Sequence, residues 1–70
     1  MRIFVFDVHL RIIRPERPGL RTQVDYRVQA ADAAGATAKA EANARRDGFE
    51  VLGPLGSPIK RWMVKGGLLG

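Results

Sequence analysis

The chain has 70 residues, with 12 Lys and Arg against 7 Asp and Glu, a formal net charge of +5, and no Cys. That length holds one small domain with one thin core, which excludes a cofactor domain beside a substrate domain. Without Cys there is neither a disulfide framework nor a thiolate zinc site, and a single His closes off a His-based metal cluster within one chain.

The start, Met1 to Phe6, carries one positive charge, but Asp7 and His9 interrupt the apolar run before it reaches the length of a signal-peptide core. No stretch approaches the roughly 18 apolar residues that span a bilayer, so a cytoplasmic protein is expected. Within residues 2–14, Phe4, Phe6, Val8, Leu10 and Ile12 recur at period two, with Asp7, His9 and Arg11 between them. This is the pattern of a long first strand. Pro15-Glu16-Arg17-Pro18-Gly19 then breaks the run, since two prolines remove backbone donors and a glycine accepts a positive φ.

Residues 20–30 alternate again: Leu20, Val24, Tyr26, Val28 and Ala30 on one face, Arg21, Gln23, Asp25, Arg27 and Gln29 on the other. A turn centred near Arg17 sets residues whose numbers add to about 34 opposite each other. Asp7 then meets Arg27 and His9 meets Asp25, while Phe6 faces Val28, Val8 faces Tyr26 and Leu10 faces Val24. Each is a favourable cross-strand pair worth roughly 0.2–1 kcal/mol, and a slip by one residue would oppose apolar to polar faces.

Asp32 is a good N-cap for an alanine-rich helix over 33–47, which Gly48 ends. Ala33, Ala36, Thr37, Ala40 and Ala44 share one stripe; Lys39, Asn43 and Arg46 line one flank, and Glu41 with Arg45 forms an i, i+4 pair on the other. A helix whose buried stripe is alanine adds little apolar area but lies close to a sheet. Phe49 to Leu52 reads as a short third strand, 53–58 as a loop rich in Gly and Pro, and 59–65 as a fourth strand. Residues 1–65 thus form one α+β domain of ββαβ(β) order, a single antiparallel sheet with one helix on one face, followed by a flexible Gly/Leu tail at 66–70.

The chemistry-bearing residues point to binding rather than catalysis. His9 with Asp25 and Asp7 is the beginning of a general-base arrangement, yet these residues also fall where a hairpin's polar face needs charge complementarity, and Ser57 lies in a distant loop. A small enzyme built on the pair would lose its rate in His9→Ala and keep it in Trp62→Ala. The strand-to-helix junction, Gln29 to Gly35, puts Asp32 where a phosphate would sit, so a nucleotide loop is not expected. No cofactor or metal is implied.

The strongest signal is Lys60-Arg61-Trp62-Met63-Val64-Lys65, where an aromatic ring is interleaved with cations. Turned inward, Trp62 is the largest core side chain and the cations a solvated face; turned outward, it is a stacking platform. Arg14 and Arg17 project from the hairpin tip, and Arg11, Arg21 and Arg27 share the polar face with two aspartates. Ile3, Val5 and Ile13 leave apolar groups on that same face, which invites a partner.

The sequence is therefore read as a non-enzymatic basic module that docks on nucleic acid, DNA or RNA, through Arg14, Arg17, Lys60, Arg61, Trp62 and Lys65. The alternative is a phage- or plasmid-type protein-interaction module that inhibits a nucleic-acid-handling complex by covering its acidic or nucleic-acid-binding surface. In size, charge and element order the chain resembles small RNA-binding and ribosomal domains and phage-encoded inhibitors such as anti-CRISPR proteins; no motif ties it to one family. Lacking staples, it is also expected to share an apolar face with a second copy, as a homodimer through the uncovered sheet face.

Overall fold

The computed structural model describes residues 2–64, so the expectations for Lys65 and for the tail at 66–70 lie outside the described residues. The elements follow in the expected order: β1 (Phe4–Ile13), β2 (Arg21–Ala30), α1 (Ala33–Arg46), β3 (Glu50–Pro54) and β4 (Ile59–Met63). They build one open antiparallel sheet with a single helix packed on it, the α+β arrangement read from the sequence.

The hairpin register is the one its side chains dictate. Phe4 pairs with Ala30, Phe6 with Val28, Val8 with Tyr26, Leu10 with Val24 and Ile13 with Arg21. The tip turns on amide bonds from Arg17 to the Arg14 carbonyl and from Leu20 to the Arg17 carbonyl, 3.1 and 3.0 Å. Even-numbered β1 residues enter the core, where Phe6, Val8, Leu10 and Ile12 pack on Val28, Ala30 and the helix alanines.

α1 is pinned at both ends. The Asp32 carboxylate accepts the Gly35 amide at 2.7 Å, satisfying one of the first-turn donors. At the other end Gly48, at φ 91°, donates to the Arg45 carbonyl while Phe49 donates to that of Ala44, a Schellman closure that returns the chain to the sheet. Ala36, Ala40 and Ala44 are fully buried, Thr37 partly; Ala33, expected on the same stripe, is exposed in the first turn. Methyl groups alone separate helix from sheet, so the larger β1 side chains supply the core volume.

Tyr26 ties the two layers together, its hydroxyl donating to the Asp47 carboxylate at 2.6 Å. Desolvation first, and the bond to Asp47 second, push its ionisation up from 10.0 to about 12. A raised value in the fold means stability that is whole below pH 10 and lost as the pH climbs toward 12, because the unfolded tyrosine ionises first. Tyr26→Phe is expected to cost about 1.5–3 kcal/mol near neutral pH, as a hydrogen bond to a charged acceptor does, and to flatten the alkaline limb of urea-unfolding free energy against pH. An unchanged alkaline limb would sink this account.

The second half of the sheet departs from the expectation of two ordinary strands. β3 extends through Gly53 and Pro54, which the sequence places in a loop. Gly53, at φ 150°, takes a conformation L side chains avoid, and the register shifts there: Val51 pairs with Ile12 and Gly53 with Arg11, leaving Leu52 as the extra residue of a bulge. β3 and β4 then share one edge of β1, β3 on Leu10–Ile13 and β4 on Phe4–Asp7, with a second register shift inside β4. Between them the Leu55 amide still reaches the His9 carbonyl at 2.8 Å, and beyond β4 the Val64 amide reaches that of Ile3. β1 is thus the centre of the sheet, flanked by unbroken β2 on one side and an interrupted strand on the other. Among the described residues, no helix is long and apolar enough to cross a membrane.

Candidate functional site: the open face of the sheet

α1 covers one face of the sheet, and no described element covers the other. That face carries the odd-numbered residues of β1 and β2. Trp62 stands directly opposite Val5 in the β1–β4 register and therefore on this face, not in the core under the helix. It is 50% exposed, while Val5 beneath it is 5% exposed. The ring thus has two roles: it keeps water off Val5, and it leaves half its surface to solvent.

The surrounding charges are tightly organised. Arg27 grips Asp7 with both nitrogens, Nε to Oδ1 at 2.8 Å and a terminal nitrogen to Oδ2 at 3.1 Å. Its guanidinium carbon also lies 5.1 Å from the centre of the Trp62 ring. Arg61 approaches the same carboxylate from β4, Nε to Oδ2 at 3.5 Å. Two guanidiniums on one carboxylate leave a net positive charge beside the ring. A shallow depression of about 470 Å³ opens there, lined by Val5, Arg27, Gln29, Trp62, Met63 and Val64.

Further along the face, His9 Nδ1 donates to Asp25 Oδ1 at 2.6 Å, and the Gln23 amide donates to the same oxygen at 2.9 Å. The carboxylate can only accept, so the His9 proton sits on Nδ1. The loop that carries Ser57 is not distant, since Leu55 is bonded to the His9 backbone. Among the described residues, however, no hydrogen bond joins Ser57 to the imidazole, and no cluster of three or more His, Cys, Asp or Glu could hold a metal. The bond joins β1 to β2 at a directly opposed pair of the register.

Both aspartates are held below the ordinary value of 3.8, Asp7 chiefly by the hydrogen bond from Arg27 and Asp25 by those from Gln23 and then His9. Lowered values in the fold give stability that is present above pH 3.8 and disappears as the pH falls through them. The melting temperature is expected to hold steady down to pH ~4 and drop below it. Asp7→Asn should lower the plateau and shallow the drop; a steeper acid limb in that variant would contradict the assignment.

The residues expected to bind together are divided. Arg61 and Trp62 share the site just described. Lys60 lies next to it but leans on the other face, its ammonium 4.4 Å from the Phe4 ring centre. Arg14 and Arg17 lie at the far end of β1, where Arg14 stacks on Phe49 at 5.0 Å. Nine steps of chain run from Val5, beneath Trp62, to Arg14, about 30 Å at strand rise. Gln29 is the site residue the sequence did not single out, and Arg27, read there as part of a separate basic surface with Arg11 and Arg21, was not joined to Trp62. The signal for Arg27 was its pairing with Asp7; that β4 would land on the same stretch of β1 is a matter of long-range register.

A family-model scan, a search of curated proteins and a search of solved structures each find no match to this chain.

Proposed function

We propose that this chain is a non-enzymatic basic module that docks nucleic acid on its open sheet face, with Trp62 as the stacking ring. The supporting observation is the half-exposed Trp62 beside Arg27 and Arg61, on a face that no described element covers. A ring that stacks on any base, next to cations that follow a phosphate chain, is the arrangement that single strands require. Gln29, in the same depression, offers a donor and an acceptor to a base edge. Arg27 and Arg61 supply backbone contacts on this face, Lys60 adds charge at its margin from the other side of β4, and Arg14 and Arg17 extend the positive field along the molecule's 44 Å length.

The test is anisotropy of labelled single- and double-stranded DNA and RNA of mixed sequence at two salt concentrations. Micromolar binding is expected, stronger for single strands, with log affinity falling against log salt by about 0.7 per phosphate neutralised. Lys60→Ala/Arg61→Ala should weaken binding and reduce that slope. No binding at low salt would remove this function.

A second reading follows from Ile59, Trp62 and Met63, each 46–50% exposed, which together offer an apolar anchor to a protein. It describes an inhibitor of a nucleic-acid-handling complex, in the manner of an anti-CRISPR protein. It predicts no intrinsic nucleic-acid affinity and a discrete partner that Trp62→Ala fails to retain.

A further inference from the structure

Among the described residues nothing pairs with the outer edge of β2, which runs unbroken from Arg21 to Ala30 with no proline and no bulge. The opposite edge of the sheet is protected by being split into β3 and β4, with Pro54 and Pro58 at the break. The phase of the β2 edge is fixed by two observations. Lys39 Nζ donates to the Gln29 carbonyl at 2.6 Å, so that carbonyl points outward. The His9 and Ile3 carbonyls point toward β3 and β4, which leaves the even-numbered residues to bond β1 to β2. Gln23, Asp25, Arg27 and Gln29 therefore present their amides and carbonyls to the outer side, where the Gln29 carbonyl, already bonded to Lys39, keeps a second lone pair for a further donor.

We propose that two copies of this chain pair along β2, antiparallel, about a twofold axis at Tyr26. In this register Asp25 meets the second copy's Arg27, Gln23 meets its Gln29, Val24 meets its Val28, and Tyr26 meets itself. Each hydrogen-bonded pair joins two residues whose backbone groups already point outward. An axis at Asp25 or at Arg27 would oppose like charges directly, and one at Val24 would set Arg21 against Arg27. An axis at Gln23 avoids that conflict but overlaps only Arg21–Asp25.

Charge complementarity selects the Tyr26 register on the open face as well. Arg61, Asp7 and Arg27 already form a row of alternating sign across β4, β1 and β2. The second copy continues it with its Asp25, which His9 in turn bonds, so no charge in the row lacks an opposite neighbour. The helices do not obstruct the pairing. α1 starts just beyond Ala30 and ends at Asp47, bonded to Tyr26, so it overlies the second half of β2. The two helices consequently lie diagonally, with the two Lys39 side chains at opposite ends of the shared edge. Both open faces, each with its Trp62, fall on the same side of the joined sheet.

Sedimentation equilibrium without nucleic acid tests this independently of the proposed function. The wild type is expected at twice the chain mass of 7.7 kDa, and Asp25→Lys and Arg27→Glu each at the single-chain mass. An equimolar mixture of the two variants should regain the doubled mass, because the mixed pair opposes unlike charges at both contacts. Gln23→Cys mixed with Gln29→Cys should cross-link under oxidation in this otherwise cysteine-free chain, and neither should cross-link alone. A wild type at single-chain mass at the highest attainable concentration overturns the proposal. So does a dimer indifferent to both charge variants, or a mixture that neither re-associates nor cross-links.

Discussion

Leu10→Ala is expected to leave the chain largely unfolded at room temperature. Leu10 is 0% exposed at the middle of the central strand, bracketed by Val24 on β2 and Pro54 on β3, and facing the alanine stripe of α1. Truncating a buried leucine costs about 2–5 kcal/mol, the larger values arising where the surroundings cannot close on the cavity. Closure is poor here. Ala36, Ala40 and Ala44 have no side-chain length with which to follow, and the sheet backbone on either side is held by its ladder. A single core of this size supplies no more than about 3–5 kcal/mol in all, so the loss is comparable to the whole stability. Urea unfolding followed by circular dichroism checks it: little or no folded baseline is expected for Leu10→Ala. Val5→Ala, on the open face with Trp62 able to settle over it, should keep a clear transition. A midpoint for Leu10→Ala within a few tenths molar of wild type would show that the core does not sit where the fold places it.

The hairpin and the helix were legible in the sequence because their determinants are local. Period-two alternation on both strands, a turn stiffened by Pro15 and Pro18, and the Asp7–Arg27 and His9–Asp25 pairs admit one register, and that register is observed. Asp32 and Gly48 mark the helix ends by side-chain and backbone chemistry that operates within a few residues. The split third strand was not legible. Gly53 and Pro54 are poor strand residues by propensity, yet they pair with Arg11 and Leu10 because the bulge at Leu52 restores the register and the outer edge asks no amide of Pro54. The same long-range register decides the candidate site. Whether Trp62 faces the helix or the open side depends on the shift inside β4, where Phe6 pairs with Lys60 and Val5 with Trp62, and one residue of slip reverses the face.

Trp62→Ala is expected to weaken nucleic-acid binding roughly 5- to 150-fold, the equivalent of the ~1–3 kcal/mol that one base–aromatic stack contributes. It should do so without changing the salt slope, because it removes no charge, whereas Lys60→Ala/Arg61→Ala changes the slope as well as the affinity. That separation of slope from affinity distinguishes stacking from phosphate neutralisation on the same few residues. The substitution has a structural cost too: Val5 loses its cover, and Arg27 loses a cation–π contact worth about 0.5–1 kcal/mol at an exposed site. Arg27 nevertheless keeps both bonds to Asp7, so the open face retains its charge pattern. Trp62→Phe separates the two roles, since a smaller ring still shields Val5 in part and still stacks. It should recover most of the stability and part of the affinity. If Trp62→Ala lowers the melting temperature but binds as wild type does, the ring serves only as the lid over Val5, and nucleic acid does not dock on this face.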